Sequence, residues 1–183
     1  MIRTTAAGAL IALVTLSATP AYADATGDVR AAMLRFAGLS SYEMTFVTGA
    51  HGGTMDFVKP NSLHMTSGPF EMIRIGTTTY MKQGPRGWMK IHDTPGAVPA
   101  DFGNKIRDLA NKPNAVSATD LGMKNVDGEA LHAYRVTSDG GSPTTVYIGR
   151  DGLPHRFQSS GGSGENVVKI GKFNAVAPIR API

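Results

Sequence analysis

Along residues 26–38 the apolar positions Val29, Ala32, Met33, Phe36 and Ala37 recur at helical spacing, which predicts one amphipathic helix. Thr26 reads as its cap, Asp28 sits near its positive end and Gly38 as its stop. From Tyr42 the period changes to two, as in Met55/Phe57 and Leu63/Met65, so the chain turns to strands. Turn signals punctuate them at Gly52-Gly53, Lys59-Pro60-Asn61, Ser67-Gly68-Pro69, Gly76 and Gly84-Pro85-Arg86-Gly87. Links this short join antiparallel neighbours and leave no room for a crossover helix, so the segment reads as a meander.

A second helix is predicted over 99–112, with Phe102, Ile106 and Leu109 on one face, Pro99 in the first turn and Pro113 closing it. The loop before it, 93–98, contains Pro95-Gly96, a hinge candidate. Strand-like runs resume over 116–121, 130–137, 144–148, 155–159 and 167–173, separated by Asp127-Gly128, Asp139-Gly140-Gly141, Asp151-Gly152 and the glycine-rich stretch 160–164. About ten antiparallel strands cannot stay flat and open, because twist accumulates until the sheet curls or splits. Two amphipathic helices are available to fill the curl, which makes the fold α+β.

Six methionines, Met44, Met55, Met65, Met72, Met81 and Met89, fall one to a strand. A rigid sheet favours β-branched residues, whereas methionine is unbranched and polarizable and moulds itself to irregular apolar shapes. Two readings stay open: an apolar ligand surface, or ordinary core. If alternate residues face inward, Met55, Phe57, Leu63, Met65, Met72, Met81 and Met89 share a concave face. Phe102, Ile106 and Leu109 of the second helix would lie above them, completing a candidate ligand-binding set. Each buried acyl methylene contributes about 0.8 kcal/mol, so such a face needs no charged anchor. Trp88 either closes a cavity mouth or packs in the core.

Arg3, the apolar run 6–16 and Ala21-Tyr22-Ala23 have the charged start, greasy middle and small-residue exit of a secretory signal peptide, with cleavage after Ala23. Residues 24–183 then form a single domain, large enough to bury about 70% of its unfolded surface. The expected location is periplasmic or secreted. With no cysteine, the chain has neither an acylated-cysteine anchor nor a disulfide. Residues 24–183 carry a formal charge of +3, and the basic positions are scattered, Lys82, Arg86 and Lys90 being the densest group. Nothing in that pattern is a nucleic-acid footprint; it reads as a solvated surface, or as an aid to transient contact with an acidic inner- or outer-membrane surface that it would not by itself hold.

His51, His64, His92, His132 and His155 show no metal-ligand spacing. Soft methionine ligands suit Cu(I), but the sequence intervals between the methionines vary from seven upward, which argues against a thioether cluster. Gly161-Gly162-Ser163-Gly164-Glu165 fails the nucleophile elbow at its last position, and phosphate-binding fingerprints are absent. The reading is therefore no metal, no cofactor and no enzyme.

Several segments carry a resemblance. The opening helix leads into Leu39-Ser40-Ser41-Tyr42-Glu43-Met44-Thr45-Phe46, then Met55-Asp56-Phe57-Val58-Lys59-Pro60-Asn61-Ser62-Leu63-His64-Met65. Ile75-Gly76-Thr77-Thr78-Thr79-Tyr80, Gly87-Trp88-Met89-Lys90-Ile91, Asp151-Gly152-Leu153-Pro154 and Phe173-Asn174-Ala175 follow. In this order they resemble the periplasmic lipoprotein-carrier superfamily, which includes outer-membrane lipoprotein carriers and receptors and mycobacterial lipid-binding lipoproteins. The resemblance implies a strongly curved antiparallel half-barrel closed by two or more helices around an apolar cavity, and a function in holding or sensing lipids or acylated proteins. It transfers no site residue by name. The expected function is an exported soluble carrier or sensor, a monomer whose partner is a lipid or an acylated protein. The alternative is an envelope interaction or signalling module with a solid core.

Overall fold

The computed structural model describes residues 24–49, 51–92, 102–112, 116–138, 141–161 and 164–183. The expected signal peptide with its cleavage site and the Pro95-Gly96 loop lie outside these residues. Helix α1 (Ala25–Gly38) buries Val29, Ala32, Met33, Phe36 and Ala37, the stripe that the sequence spacing marks. Its cap differs from expectation: Thr26 lies inside the helix, and the N-cap is Asp24, which makes no side-chain capping bond. Thr26 Oγ1 instead accepts the Ala118 backbone N–H at 3.1 Å, tying the first turn to a strand. At the other end Lys59 Nζ and the Arg107 guanidinium donate to the Ala37 carbonyl at 2.9 and 3.0 Å. They satisfy an orphan acceptor and oppose the helix's negative pole.

The strands are β1 (Ser41–Thr48), β2 (His51–Val58), β3 (Ser62–Ser67), β4 (Phe70–Ile75), β5 (Thr78–Gln83) and β6 (Met89–His92). After α2 (Phe102–Asn111) come β7 (Val116–Val126), β8 (Glu129–Ser138), β9 (Thr144–Ile148), β10 (Pro154–Gly161) and β11 (Gly164–Gly171). All belong to one antiparallel sheet in the order β6-β5-β4-β3-β2-β1-β11-β10-β9-β8-β7. Two meanders thus join where β1 pairs with β11, a long-range pairing that adjacent-strand reasoning misses. The sheet is not closed: β6 and β7 are its two edges. They are also consecutive strands, so the connection carrying α2 runs from one edge to the other.

Two clusters of buried residues lie on one face. Val29, Met33 and Ala110 pack with Val116, Tyr134, Val136, Val146 and Ile148; Phe36 and Leu39 pack with Tyr42, Met44, Phe57 and Ile170. Ile106 and Phe157 touch both clusters and join them. This half of the sheet is filled. The chain end is pinned to the α1–β1 junction: Ser40 donates its N–H and its hydroxyl to Asn174 Oδ1 at 2.8 and 2.9 Å, and Asn174 N–H donates to the Ser41 carbonyl. Strand β7 runs five residues past its expected end because a bulge at Asp120–Met123, with Gly122 at φ +73°, turns the chain while pairing resumes.

Candidate functional site

Each hairpin sets the register of its own two strands, and the six methionines end in one line. Met44 is opposite Met55, Met55 opposite Met65, Met65 opposite Met72, Met72 opposite Met81, and Met81 opposite Met89. Directly opposed residues project from the same face with Cβ atoms about 5 Å apart, so every neighbouring pair of thioethers is within contact reach. The row runs at right angles to the strands and continues into Ile170 on β11. Phe57 and Leu63, a further opposed pair two residues along, share the face. The rows on either side contain no methionine: Tyr42, Phe57, Leu63, Arg74, Thr79 and Ile91 form one, Phe46, Gly53, Ser67, Phe70 and Gln83 the other.

The row has two different ends. Met44 is buried and Met55 partly buried in the cluster under α1, beside Phe36 and Leu39. Met89, on the edge strand, is 52% exposed. Between them Met65 and Met81 are half-buried, and Met72, at 4% exposure, is buried without belonging to either described cluster. Phe57 and Leu63 are buried. Of the three helical residues expected above the face, Ile106 is half-buried and packs over the junction of the two clusters, near Met44 and Met55. Phe102 and Leu109 are on α2, and their side chains are outside the described residues. Four concavities of 210 to 520 Å³ open among the described residues, with charged or polar side chains in every wall and no methionine in any.

The opposite face of β1–β5 is largely polar. Glu43 is opposite Asp56 and Asp56 opposite His64. Lys172 Nζ lies 2.6 Å from Glu43, His64 Nε2 3.0 Å from Glu71, and Lys82 Nζ 3.8 Å from Glu71. Burial, and then the neighbouring Glu43 carboxylate, push the Asp56 carboxyl above its ordinary range. Asp56 Oδ1 is buried without a partner among the described residues. Ile73 and Tyr80 form a buried opposed pair on this same face. Trp88 is half-buried just before β6 with Lys82 Nζ 5.8 Å from its ring centroid, a position at the sheet edge and not in either core cluster.

His64, His132 and His155 take carboxylate partners. His132 meets Asp120 at 2.6 Å, and His155 stands between Glu129 and Asp151 at 3.0 Å from each. Among the described residues no group of three His, Asp or Glu side chains is placed to hold a metal ion. The acid pair Glu43/Asp56 was not legible beforehand, since it depends on the β1–β2 register.

No protein-family model and no curated protein sequence matches the chain. Solved structures do. The lipoprotein LppX of Mycobacterium tuberculosis superposes with a TM-score of 0.60 at 16% identity, over 85% of this chain and 97% of that one. LprF of Mycobacterium bovis gives 0.62 at 14% identity, over 86% and 96%. The chain has the LppX and LprF fold. A likeness to a LolA superfamily protein of Nitrosomonas europaea, NE2245, has a TM-score of 0.33 at 10% identity, over 81% of this chain and 91% of that one, too loose to bear on the fold. These two matches cover most of both partners, so the likeness is not confined to one hairpin. Among the described residues no helix is long and apolar enough to cross a membrane.

Proposed function

We propose that this protein is an exported carrier or sensor that holds a lipid, or the acyl group of a lipoprotein, on the methionine face of its sheet, as a half-barrel whose helices close over that face. The observation that carries this reading is the single row of six thioethers, opposed strand to strand. A face built only to be packed would use β-branched residues, which fit a pleated surface and fix its shape. Six unbranched side chains in one line give a strip that reshapes around whatever lies on it. The row begins in the sealed core and ends on an open edge, as an entry path requires. The likeness to LppX and LprF supports the same reading, as does the sequence resemblance to lipoprotein carriers. The acylated partner, the single-domain organisation of 24–183, the periplasmic or secreted location and the absence of catalysis belong to this proposal. Uptake of a fluorescent fatty acid by the purified protein tests it: binding lost in Met72→Asp, with the fold retained by circular dichroism, is expected, and no uptake by folded wild-type protein overturns it.

The register also favours a second reading. Unequal sequence intervals argued against clustered thioethers, yet the row makes them neighbours, which is what a Cu(I) site needs. Anaerobic Cu(I) titration separates the two: replacing Met72, Met81 and Met89 by leucine abolishes metal binding and leaves lipid uptake in place.

A further inference from the structure

The second meander carries a polar hollow on the face of the sheet turned away from α1. Arg135 on β8, Thr145 on β9 and Gln158 on β10 are directly opposed across three strands. Their chain neighbours Tyr134, Val146 and Phe157 point the other way, into the first core cluster. With Pro143, Ser159 and Ser160 these three residues line a concavity of about 360 Å³, the size of a small-molecule site. Gln158 gives it a fixed floor: its Oε1 accepts the Tyr147 hydroxyl and the Arg156 Nε–H, each at 3.2 Å, and its Nε2 donates to Glu165.

Charge pairing on this face leaves one residue over. Glu129 meets His155, Arg156 and Lys169 share Asp127, and Glu165 holds the Gln158 amide. Among the described residues of β8–β11 on this face, Arg135 alone of the charged side chains has no such partner, and it is exposed. Its ladder neighbours are Thr119 on β7 and Thr145 on β9, so hydroxyl-bearing residues flank it on both sides. A guanidinium presents a planar fork of donors that matches two oxygens of a phosphate, and a hydroxyl can donate to a third. An acyl tail finds little here, because Pro143 is the one apolar residue in the lining. Ser160 is opposite Glu165, whose carboxylate accepts from hydroxyls and repels a second anion. From Arg135 to Gln158 is two strand spacings, about 10 Å, which accommodates a phosphate and a short polyol. We propose that this hollow binds a phosphorylated polyol, its phosphate on Arg135 and Thr145 and its hydroxyls toward Ser160 and Glu165. The methionine row lies on the other face, so the site stands independently of the carrier reading.

Nuclear magnetic resonance titration of the isotopically labelled protein tests the proposal, with glycerol 3-phosphate as the probe. Saturable shifts are expected at the amides of Arg135, Thr145, Gln158 and Ser160, and none from glycerol or from sodium chloride at matched ionic strength. Arg135→Gln is expected to weaken binding about tenfold, through loss of a charge-assisted pair, while circular dichroism and fatty-acid uptake stay unchanged. A phospholipid headgroup and a free ester share this chemistry. Vesicles of phosphatidylglycerol that broaden the same resonances, where phosphatidylcholine vesicles do not, identify the headgroup; response to the free ester alone identifies a soluble ligand. Absence of any saturable shift, equal shifts from sodium chloride, or wild-type affinity in Arg135→Gln overturns the site and leaves the carrier reading standing.

Discussion

Glu43 on β1 and Asp56 on β2 are directly opposed on the outer face of the sheet, two carboxylates in one ladder position, with only Glu43 held by Lys172. Burial and this like charge raise the Asp56 pKa above 3.8, so the folded state holds that proton more tightly than the unfolded chain does. Ionising Asp56 therefore costs stability, and the cost appears as pH rises through the raised value. Asp56→Asn removes the charge and gives Glu43 an amide donor. The variant is expected to melt at a higher temperature than wild type near neutrality, with the difference closing as pH falls toward 3.8. Thermal melts across that range check it; an unchanged or lowered melting temperature at neutral pH contradicts it.

Tyr134 gives a second pH signature. Its hydroxyl donates to Asp28 Oδ2 at 3.1 Å from within the first core cluster, and burial together with that carboxylate raises its pKa from 10.0 to about 12. The stability this contributes is full below 10.0 and is lost as pH rises through about 12. Spectrophotometric titration is expected to show one tyrosine ionising late, and Tyr134→Phe is expected to remove that late step at a cost of about 1 kcal/mol for the lost hydrogen bond.

The pinned chain end predicts an ordered pair of variants. Asn174 has φ +55°, in the left-handed region, and its Oδ1 accepts both Ser40 donors. Asn174→Gly loses the two bonds and keeps the conformation, whereas Asn174→Ala loses the bonds and adds backbone strain of about 1 kcal/mol. Urea denaturation should rank them wild type, then Gly, then Ala; equal stability of all three would show that the tail contributes nothing to the fold.

Much of this architecture is legible in the sequence because period and punctuation are local. The buried stripe of α1, strand β9 at 144–148 and the one-methionine-per-strand pattern all follow from residues close together in the chain. The pairing of β1 with β11 is not local, and no turn signal encodes it. Nor does equal spacing measure alignment in a meander. Met65 and Met72 are seven apart and Met72 and Met81 nine, yet both pairs are opposed, because the residues flanking each turn differ in number. Thr26 misled for another reason: a hydroxyl in the first helical turn serves a neighbouring strand as readily as its own helix, and Ala118 takes it. Trp88, following a glycine at the sheet edge, finds Lys82 where a more central residue would find the core.

Native mass spectrometry of the protein taken from the cells that make it tests the central claim most directly. The account predicts a folded chain carrying one lipid-sized mass, released by organic solvent and absent from Met72→Asp. A folded wild-type protein that shows the bare chain mass, and still takes up no fatty acid when offered one, would contradict it.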